Sequence, residues 1–164
     1  MSDAEKWAKN VEEARKKGVK IGKNTNLVDM PHFSTEPYLI EIGENVTISV
    51  EVMFLTHDGA RWACSPYINE NISMKIGNIK ISDGCFIGAR TILLPGVKIG
   101  KNSITGAGSV VTKNIPDGEV WAGNPAKFIC KTVDYAKKLE KLNNSEEFLK
   151  LCKFVSVQSN NKSA

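Results

Sequence analysis

The hydrophobic pattern of residues 81–116 repeats every six positions. Cut at that period, the segment is ISDGCF, IGARTI, LLPGVK, IGKNSI, TGAGSV and VTKNIP. The first position of each hexad is branched: Ile81, Ile87, Leu93, Ile99, Thr105 and Val111. A period of six does not fit an α-helix, in which apolar residues recur at a spacing of about 3.6, but it is a multiple of the strand period of two. The pattern therefore predicts a solenoid, in which each hexad forms one flat wall and one corner.

Two other hexad positions fit the same architecture. The fifth position is small or β-branched in every unit: Cys85, Thr91, Val97, Ser103, Ser109 and Ile115. The second position is glycine at residues 88, 100 and 106. We expect these glycines to adopt corner dihedrals that β-branched residues disfavour, and we expect Cys85 to fill the core.

Hexads with the same spacing also occur earlier in the chain, where two segments interrupt them. Their first positions are Ile21, Leu27, Ile42, Ile48 and Phe54. Residues 29–39 contain Pro31 and Pro37, which predict a loop or an edge. Residues 55–75 lack the pattern, and we predict an excursion loop that leaves the solenoid near a corner. The hexads are predicted to resume at Ile76.

Helical signals flank the repeats. Ser2 and Glu5 fit a capping box before a short helix that Gly18 would end. Near the other terminus, helical periodicity covers 133–142 and 145–155, and Asn144 with Glu147 forms a second candidate capping box.

These boundaries predict three parts. An N-terminal capping helix covers residues 1–18. The β-solenoid covers residues 19–126 and includes the excursion loop at 55–75. A C-terminal helical extension covers residues 127–164.

Composition and charge exclude several classes of protein. The chain has 164 residues, of which 41% are hydrophobic, so it is long enough for one domain with a core. The net charge of +4 is concentrated at the ends: residues 1–23 contain seven Lys/Arg and four acids, and residues 127–164 contain eight and four. These flanks are either solvated surface or a region that attracts a polyanionic cofactor. No stacking aromatics are interleaved with the lysines, so we do not expect nucleic-acid binding.

The cysteines and the apolar runs give further expectations. The four cysteines form no C-x-x-C pair, which argues against a zinc site and a disulfide framework. No run reaches the length of a membrane span, and the N-terminus has no apolar signal-peptide region. We therefore expect a soluble cytoplasmic protein.

The hexads, followed by GAGSVVTKNIP and AGNPAKFI, resemble the hexapeptide-repeat acyltransferases over roughly residues 19–130. The branch of sugar and capsule O-acetyltransferases is the most similar. The resemblance implies an all-β fold, a left-handed parallel β-helix of triangular section with three hexads per coil. It also implies a homotrimer with active sites between subunits, acetyl-CoA as co-substrate, no metal, and a saccharide or sugar-nucleotide acceptor.

His32 and His57 are the only histidines, so they are the candidate general bases. Acetyl transfer to a hydroxyl requires loss of the hydroxyl proton, which a neutral imidazole can accept near neutral pH. A lone histidine is more often structural. However, the family places one histidine where its loop leaves the coil, and His57 in THDG stands there. Either Asp58 or a backbone carbonyl could orient the ring.

The resemblance implies the other site residues as well. The backbone amide of Ala89, after an Ile-Gly pair, would stabilise the tetrahedral oxyanion and contact the cofactor. Gly106 and Ala107 would contact pantetheine. Thr112, Lys113 and Lys127 could meet the phosphates, although both lysines also fit a solvated surface. The acceptor site implied by the family arrangement consists of Asp29, Glu36, Tyr38, Arg61 and Trp62.

The sequence therefore favours an acetyl-CoA-dependent O-acetyltransferase that acts on a saccharide hydroxyl. Direct transfer in a ternary complex fits best, because no serine lies in a G-x-S-x-G elbow. An N-acetyltransferase of an amino-sugar nucleotide would use the same base and cofactor. A non-catalytic scaffold is a third possibility, whereas two histidines are too few for a three-histidine zinc site.

Overall fold

The hexads form a parallel β-helix in the computed structural model, which describes residues 2–68 and 74–161. The first two coils contain β1 (Lys20–Ile21), β2 (Asn26–Leu27), β3 (Ile40–Ile42), β4 (Thr47–Ile48) and β5 (Met53–Phe54). The excursion loop contributes β6 (His57–Asp58), the short helix α2 (Arg61–Cys64) and β7 (Lys75–Ile76). The later coils contain β8 (Ile79–Ile81), β9 (Phe86–Ile87), β10 (Ile92–Leu93), β11 (Lys98–Ile99), β12 (Ile104–Thr105), β13 (Val110–Val111) and β14 (Glu119–Ala122).

Successive strands occupy three parallel sheets in rotation. Wall A consists of β1, β3, β8 and β11; wall B includes β2, β4, β9, β12 and β14; wall C consists of β5, β10 and β13. Ile81 pairs with Ile99, and Ile87 pairs with Thr105. Each residue thus pairs with the one three hexads later, and one coil takes three hexads.

The core lies inside the three walls and is built from the predicted positions. The six first-position residues between Ile81 and Val111 are fully buried. The fifth-position residues are also buried, including Cys85. Four of the first- and fifth-position residues carry hydroxyls: Thr91, Ser103, Thr105 and Ser109. The hydroxyls of Thr91 and Thr105 contact Gly88 backbone atoms. The hexad prediction is confirmed.

The role predicted for the second-position glycines is wrong. Gly88 does not have a positive φ; instead, a Cβ there would lie 2.6 Å from the Ala107 nitrogen of the next coil. The left-handed corner residue is at position four, where Gly108 has φ of 70°. Glycine at position two thus accommodates the close approach of adjacent coils, as at Gly88. Position four adopts the left-handed dihedral, which Gly108 tolerates best and which Arg90 and Asn102 also adopt.

The first interruption is smaller than the sequence predicts. Residues 29–39 include His32, which forms a parallel bridge with Met53 and extends wall C into the first coil. Phe33 is buried, and its ring centroid lies 5.5 Å from that of Phe54. Phe33 is therefore a first-position residue that keeps the phase of Leu27.

The second interruption ends later than predicted. Ile76 belongs to β7 and pairs with His57 of β6 in an antiparallel hairpin. Because Ile76 is half exposed, it is not a wall residue, and the solenoid resumes with β8.

The N-terminal helix α1 (Asp3–Lys16) begins as predicted. Ser2 and Glu5 form the capping box, and Gly18 follows the helix with φ of 102°. Val11 and Ala14 are buried against the first coil. This helix therefore covers the open end of the solenoid.

The C-terminal segment differs from the predicted helical extension because it starts with a strand. β15 (Lys127–Lys131) pairs antiparallel with β14, and the helices α3 (Thr132–Asn143) and α4 (Glu146–Asn161) follow. The second cap was assigned to the wrong residue: Ser145 accepts the Phe148 N–H at 3.2 Å, whereas Asn144 ends α3. Among the described residues, no helix combines the length and apolar character of a membrane span.

Candidate active site

His57 lies at the neck of the excursion loop, at the corner between walls C and A. The chain leaves wall C after β5, and the buried Thr56 accepts the Gly77 N–H at 2.9 Å. This contact joins the two ends of the loop. The short β6–β7 hairpin then fixes the backbone of His57. A rigid neck of this kind positions one side chain at the edge of the solenoid.

A carboxylate from the preceding coil holds the imidazole ring. His57 Nδ1 lies 2.8 Å from Glu36 Oε2, and Ser34 Oγ lies 3.5 Å from the same nitrogen. An ionised carboxylate can only accept, so Nδ1 carries the proton and Nε2 has the free lone pair. The side chains are 29% exposed for His57 and 20% exposed for Glu36. The pair is therefore accessible to a substrate but partly shielded from water.

Three donors stabilise the ionised form of Glu36. Thr35 Oγ1 donates to Oε1 at 2.5 Å, and Thr56 Oγ1 donates to Oε2 at 2.6 Å. Hydrogen bonds from Thr35, Thr56 and His57 lower the pKa of Glu36 to about 2 from an ordinary value of 4.5. Glu36 thus carries its negative charge at every pH at which an enzyme of this kind would work.

Asp58 does not orient the ring. Its Oδ1 accepts the Ala60 N–H at 2.8 Å, and the residue is exposed. Successive residues in an extended chain point to opposite sides, which takes Asp58 away from the ring. The orienting carboxylate is Glu36, which the sequence analysis placed in the acceptor site. The separation of 21 positions between Glu36 and His57 leaves no local sequence signal for this contact.

Three of the predicted cofactor residues lie together at the corner between walls B and C. Ala89, Gly106 and Ala107 line one groove of about 770 Å³. Gly108 N donates to the Ala89 carbonyl at 2.7 Å, which couples these two adjacent corners. In the described part of the chain, His57 does not line this groove.

The other predicted cofactor residues are more dispersed. Thr112 and Lys113 are exposed after β13, at the corner between walls C and A. Lys127 is exposed at the start of β15 and pairs with Ala122, which lines the groove. Lys127 is therefore close to the groove, whereas Thr112 and Lys113 are on the corner that carries His57.

The predicted acceptor residues do not form one cluster within the chain. Asp29 is exposed after β2, at the corner between walls B and C. Tyr38 lines a separate groove on the outer side of wall A with Lys20, Lys80 and Lys98. Arg61 and Trp62 are exposed on the excursion loop, where the guanidinium lies 5.8 Å from the indole centroid. Only Glu36 of the predicted acceptor set contacts His57.

The two clusters border opposite sides of wall C. The Glu36–His57 pair lies at one corner, and the Ala89–Ala107 groove lies at the other. Wall C is about one hexad wide, so on the order of 15–20 Å separates the corners. One chain therefore does not bring its own imidazole to its own groove.

Comparison with known proteins identifies the same repeats. The family model "Bacterial transferase hexapeptide (six repeats)" matches residues 78–113. Protein CapG from Staphylococcus aureus is 42% identical over 142 residues, which cover 84% of this chain and 78% of that protein.

Two further matches are enzymes that transfer acetyl groups. The galactoside O-acetyltransferase of Lactococcus lactis is 35% identical over 75% of this chain, which spans 58% of that enzyme. The solved structure of a galactoside acetyltransferase in complex with coenzyme A superposes with a TM-score of 0.54 at 25% identity, covering 82% of this chain and 84% of the other. The chain therefore belongs to the bacterial hexapeptide-repeat transferase family and is an acyltransferase.

Proposed function

We propose that the protein is an acetyl-CoA-dependent O-acetyltransferase that acts on a saccharide hydroxyl. The Glu36–His57 pair at the loop neck supports this proposal most directly, because it presents an oriented imidazole with a free Nε2 lone pair. The enzyme similar in structure that was solved with coenzyme A supports the choice of thioester. The proposal also includes a left-handed coil, as the family implies, and a cytoplasmic location.

The reaction uses His57 as both base and acid. Nε2 accepts the proton of the acceptor hydroxyl while its oxygen attacks the thioester carbonyl. The Ala89 N–H stabilises the tetrahedral oxyanion, and one such donor contributes about 3–4 kcal/mol. The intermediate expels the CoA thiolate, which takes the proton from the imidazolium. The acetyl ester and the free thiol are the products, and the ionised Glu36 stabilises the imidazolium during the cycle.

Direct transfer agrees with the environment of the core cysteine. Cys85 is buried in the solenoid, and burial raises the pKa of its thiol to about 11. A protonated, inaccessible thiol is not a nucleophile. We therefore propose transfer in a ternary complex without an acyl-enzyme at this residue.

The outward residues of the walls support a homotrimer. On wall C the outward row is His32, Met53, Ile92 and Val110, which is apolar apart from His32. On wall A the corresponding row is Lys20, Glu41, Lys80 and Lys98, which suits a wall that faces water. An apolar outer wall marks a contact surface.

A ring of subunits that contact one another along wall C completes the proposed site. The two corners that border wall C would then face two different neighbours, as in a closed heterologous ring. His57 of one subunit would meet the Ala89 groove of the next. This arrangement joins the two clusters that one chain keeps apart.

Ile92→Glu is expected to break the trimer, because a carboxylate would be buried in an apolar contact. Size-exclusion chromatography with light scattering should show a smaller species, and acetyl transfer should decrease together with the trimer fraction. Lys98→Glu, at an outward position of wall A, should leave the assembly unchanged. A trimeric and fully active Ile92→Glu variant would contradict the proposed contact.

The function is tested with acetyl-CoA and a panel of acceptors. Purified protein is incubated with hydroxyl sugars and amino-sugar nucleotides, and thiol release is measured together with product mass. An ester product is the expected result. An amide product would instead support N-acetylation, which the same base could serve. Absence of coenzyme A binding by calorimetry would favour a scaffold and overturn the proposal.

A further inference from the structure

The outer side of wall B changes from polar to apolar along the solenoid. Its outward row begins with Asn26 and Thr47 and continues with Phe86, Ile104 and Val120. A row of apolar outward side chains is not expected on a wall that faces only water. The change therefore marks the later coils of wall B as a surface that something covers.

The C-terminal segment covers this surface only in part. Ile129 of β15 and Tyr135 and Leu139 of α3 line the same groove as Phe86. However, Phe86 is 44% exposed and Leu139 is 42% exposed. The segment thus forms a second wall opposite wall B and leaves a groove of about 770 Å³ between them, within the usual range of about 300–1,000 Å³ for ligand pockets.

The contents of the groove favour one occupant. One side carries the backbone of Ala89 and Ala107, which the proposed function assigns to the thioester arm. The remainder is mainly apolar, and Lys127 lies beside it through its pairing with Ala122. Lys127 is exposed at this position, so its charge complements an anion at this side of the groove. The pantetheine arm of acyl-CoA is amphipathic and ends in phosphates, so it matches these three features.

We infer that β15 and α3 form the outer wall of the acyl-CoA groove, and that Ile129, Tyr135 and Leu139 contact the pantetheine arm. This inference rests on the proposed function. It makes the C-terminal segment a cofactor-binding element in addition to the backbone contacts at Ala89 and Ala107. The apolar half of wall B then contacts the pantetheine arm from the side opposite β15 and α3.

The test compares two leucines of α3. Leu139 lines the groove, whereas Leu142 lies one turn further along the same helix, is 50% exposed and does not line it. Leu139→Ala should raise the Kd for coenzyme A, measured by calorimetry, on the order of tenfold through lost apolar contact. The KM for acetyl-CoA should rise in parallel, while kcat stays close to the wild-type value. Leu142→Ala should leave both constants unchanged.

A second variant fills the groove. Leu139→Trp places a larger ring in the same space and should also raise the Kd, with the helix content unchanged by circular dichroism. Equal Kd values for the wild type and both Leu139 variants would overturn the inference. A Leu139 variant that loses the trimer but binds coenzyme A normally would identify this surface as a subunit contact and would also overturn it.

These outcomes separate the inference from the proposed function. If the wild-type protein does not bind coenzyme A, the proposed function fails, and the inference fails with it. If the wild type binds coenzyme A and the Leu139 variants bind it equally well, only the role of the C-terminal wall is disproved.

Discussion

His57→Ala is expected to reduce kcat/KM for acetyl transfer by about 10²–10⁴-fold, the usual contribution of a general base. The variant changes none of the residues that form the thioester groove within each subunit. The Kd for coenzyme A should therefore match the wild-type value. Rates are measured by thiol release with saturating acceptor, and Kd is measured by calorimetry.

The combination of lost turnover and intact cofactor binding distinguishes a base from a structural residue. A structural role would change the thermal unfolding temperature and the Kd together. Added imidazole should restore part of the rate, because the variant leaves a space beside Glu36. A His57→Ala variant that keeps more than a tenth of the wild-type rate would exclude His57 as the base.

The walls could be predicted from the sequence because their signal is local. Ile81, Ile87 and Leu93 repeat at a fixed spacing, and each is fully buried in the structure. Phe33 keeps the same phase but was missed, because the spacing from Phe33 to Ile42 is longer than one hexad. A single irregular spacing was enough to hide a wall residue that packs on Phe54.

The site was less predictable because its contacts join different coils. The position of His57 at the start of the excursion loop followed from the break in the hexads, and its role as the base was implied by the resemblance to the family. Its partner Glu36 precedes it by 21 residues, so no short motif records the pair. Asp58 was a candidate only because it is adjacent in sequence, and adjacency in a strand separates side chains.

The outward positions contained information that the sequence analysis did not use. Once the phase of the hexads is known, the residue before each first position faces outward. Read in this way, Lys20, Lys80 and Lys98 mark a charged wall, whereas Met53 and Ile92 mark an apolar wall. To assign each hexad to a wall, the residues of the excursion loop must be left out of the count. The end of that loop is known only from the pairing of β6 with β7.

Glu36→Gln is expected to reduce kcat/KM by about 10²–10⁴-fold, as loss of an orienting carboxylate does in other acyl-transfer sites. Thr35, Thr56 and His57 all donate to this carboxylate. A glutamine amide facing Nδ1 would donate to the ring and place its proton on Nε2, which could then not act as a base. The matched control is Asp58→Asn, which removes the neighbouring charge and should retain most of the activity.

The pH dependence of stability tests the same carboxylate without an activity assay. The pKa of Glu36 is lowered from 4.5 to about 2, so its contribution to the free energy of unfolding is fully present above pH 4.5. That contribution is lost as pH falls through about 2. Denaturant unfolding should therefore show a constant difference between the wild type and Glu36→Gln at neutral pH and a shrinking difference in acid. A difference that grows as pH falls from 4.5 to about 2 would contradict the depressed pKa and with it the anionic state that holds the ring of His57.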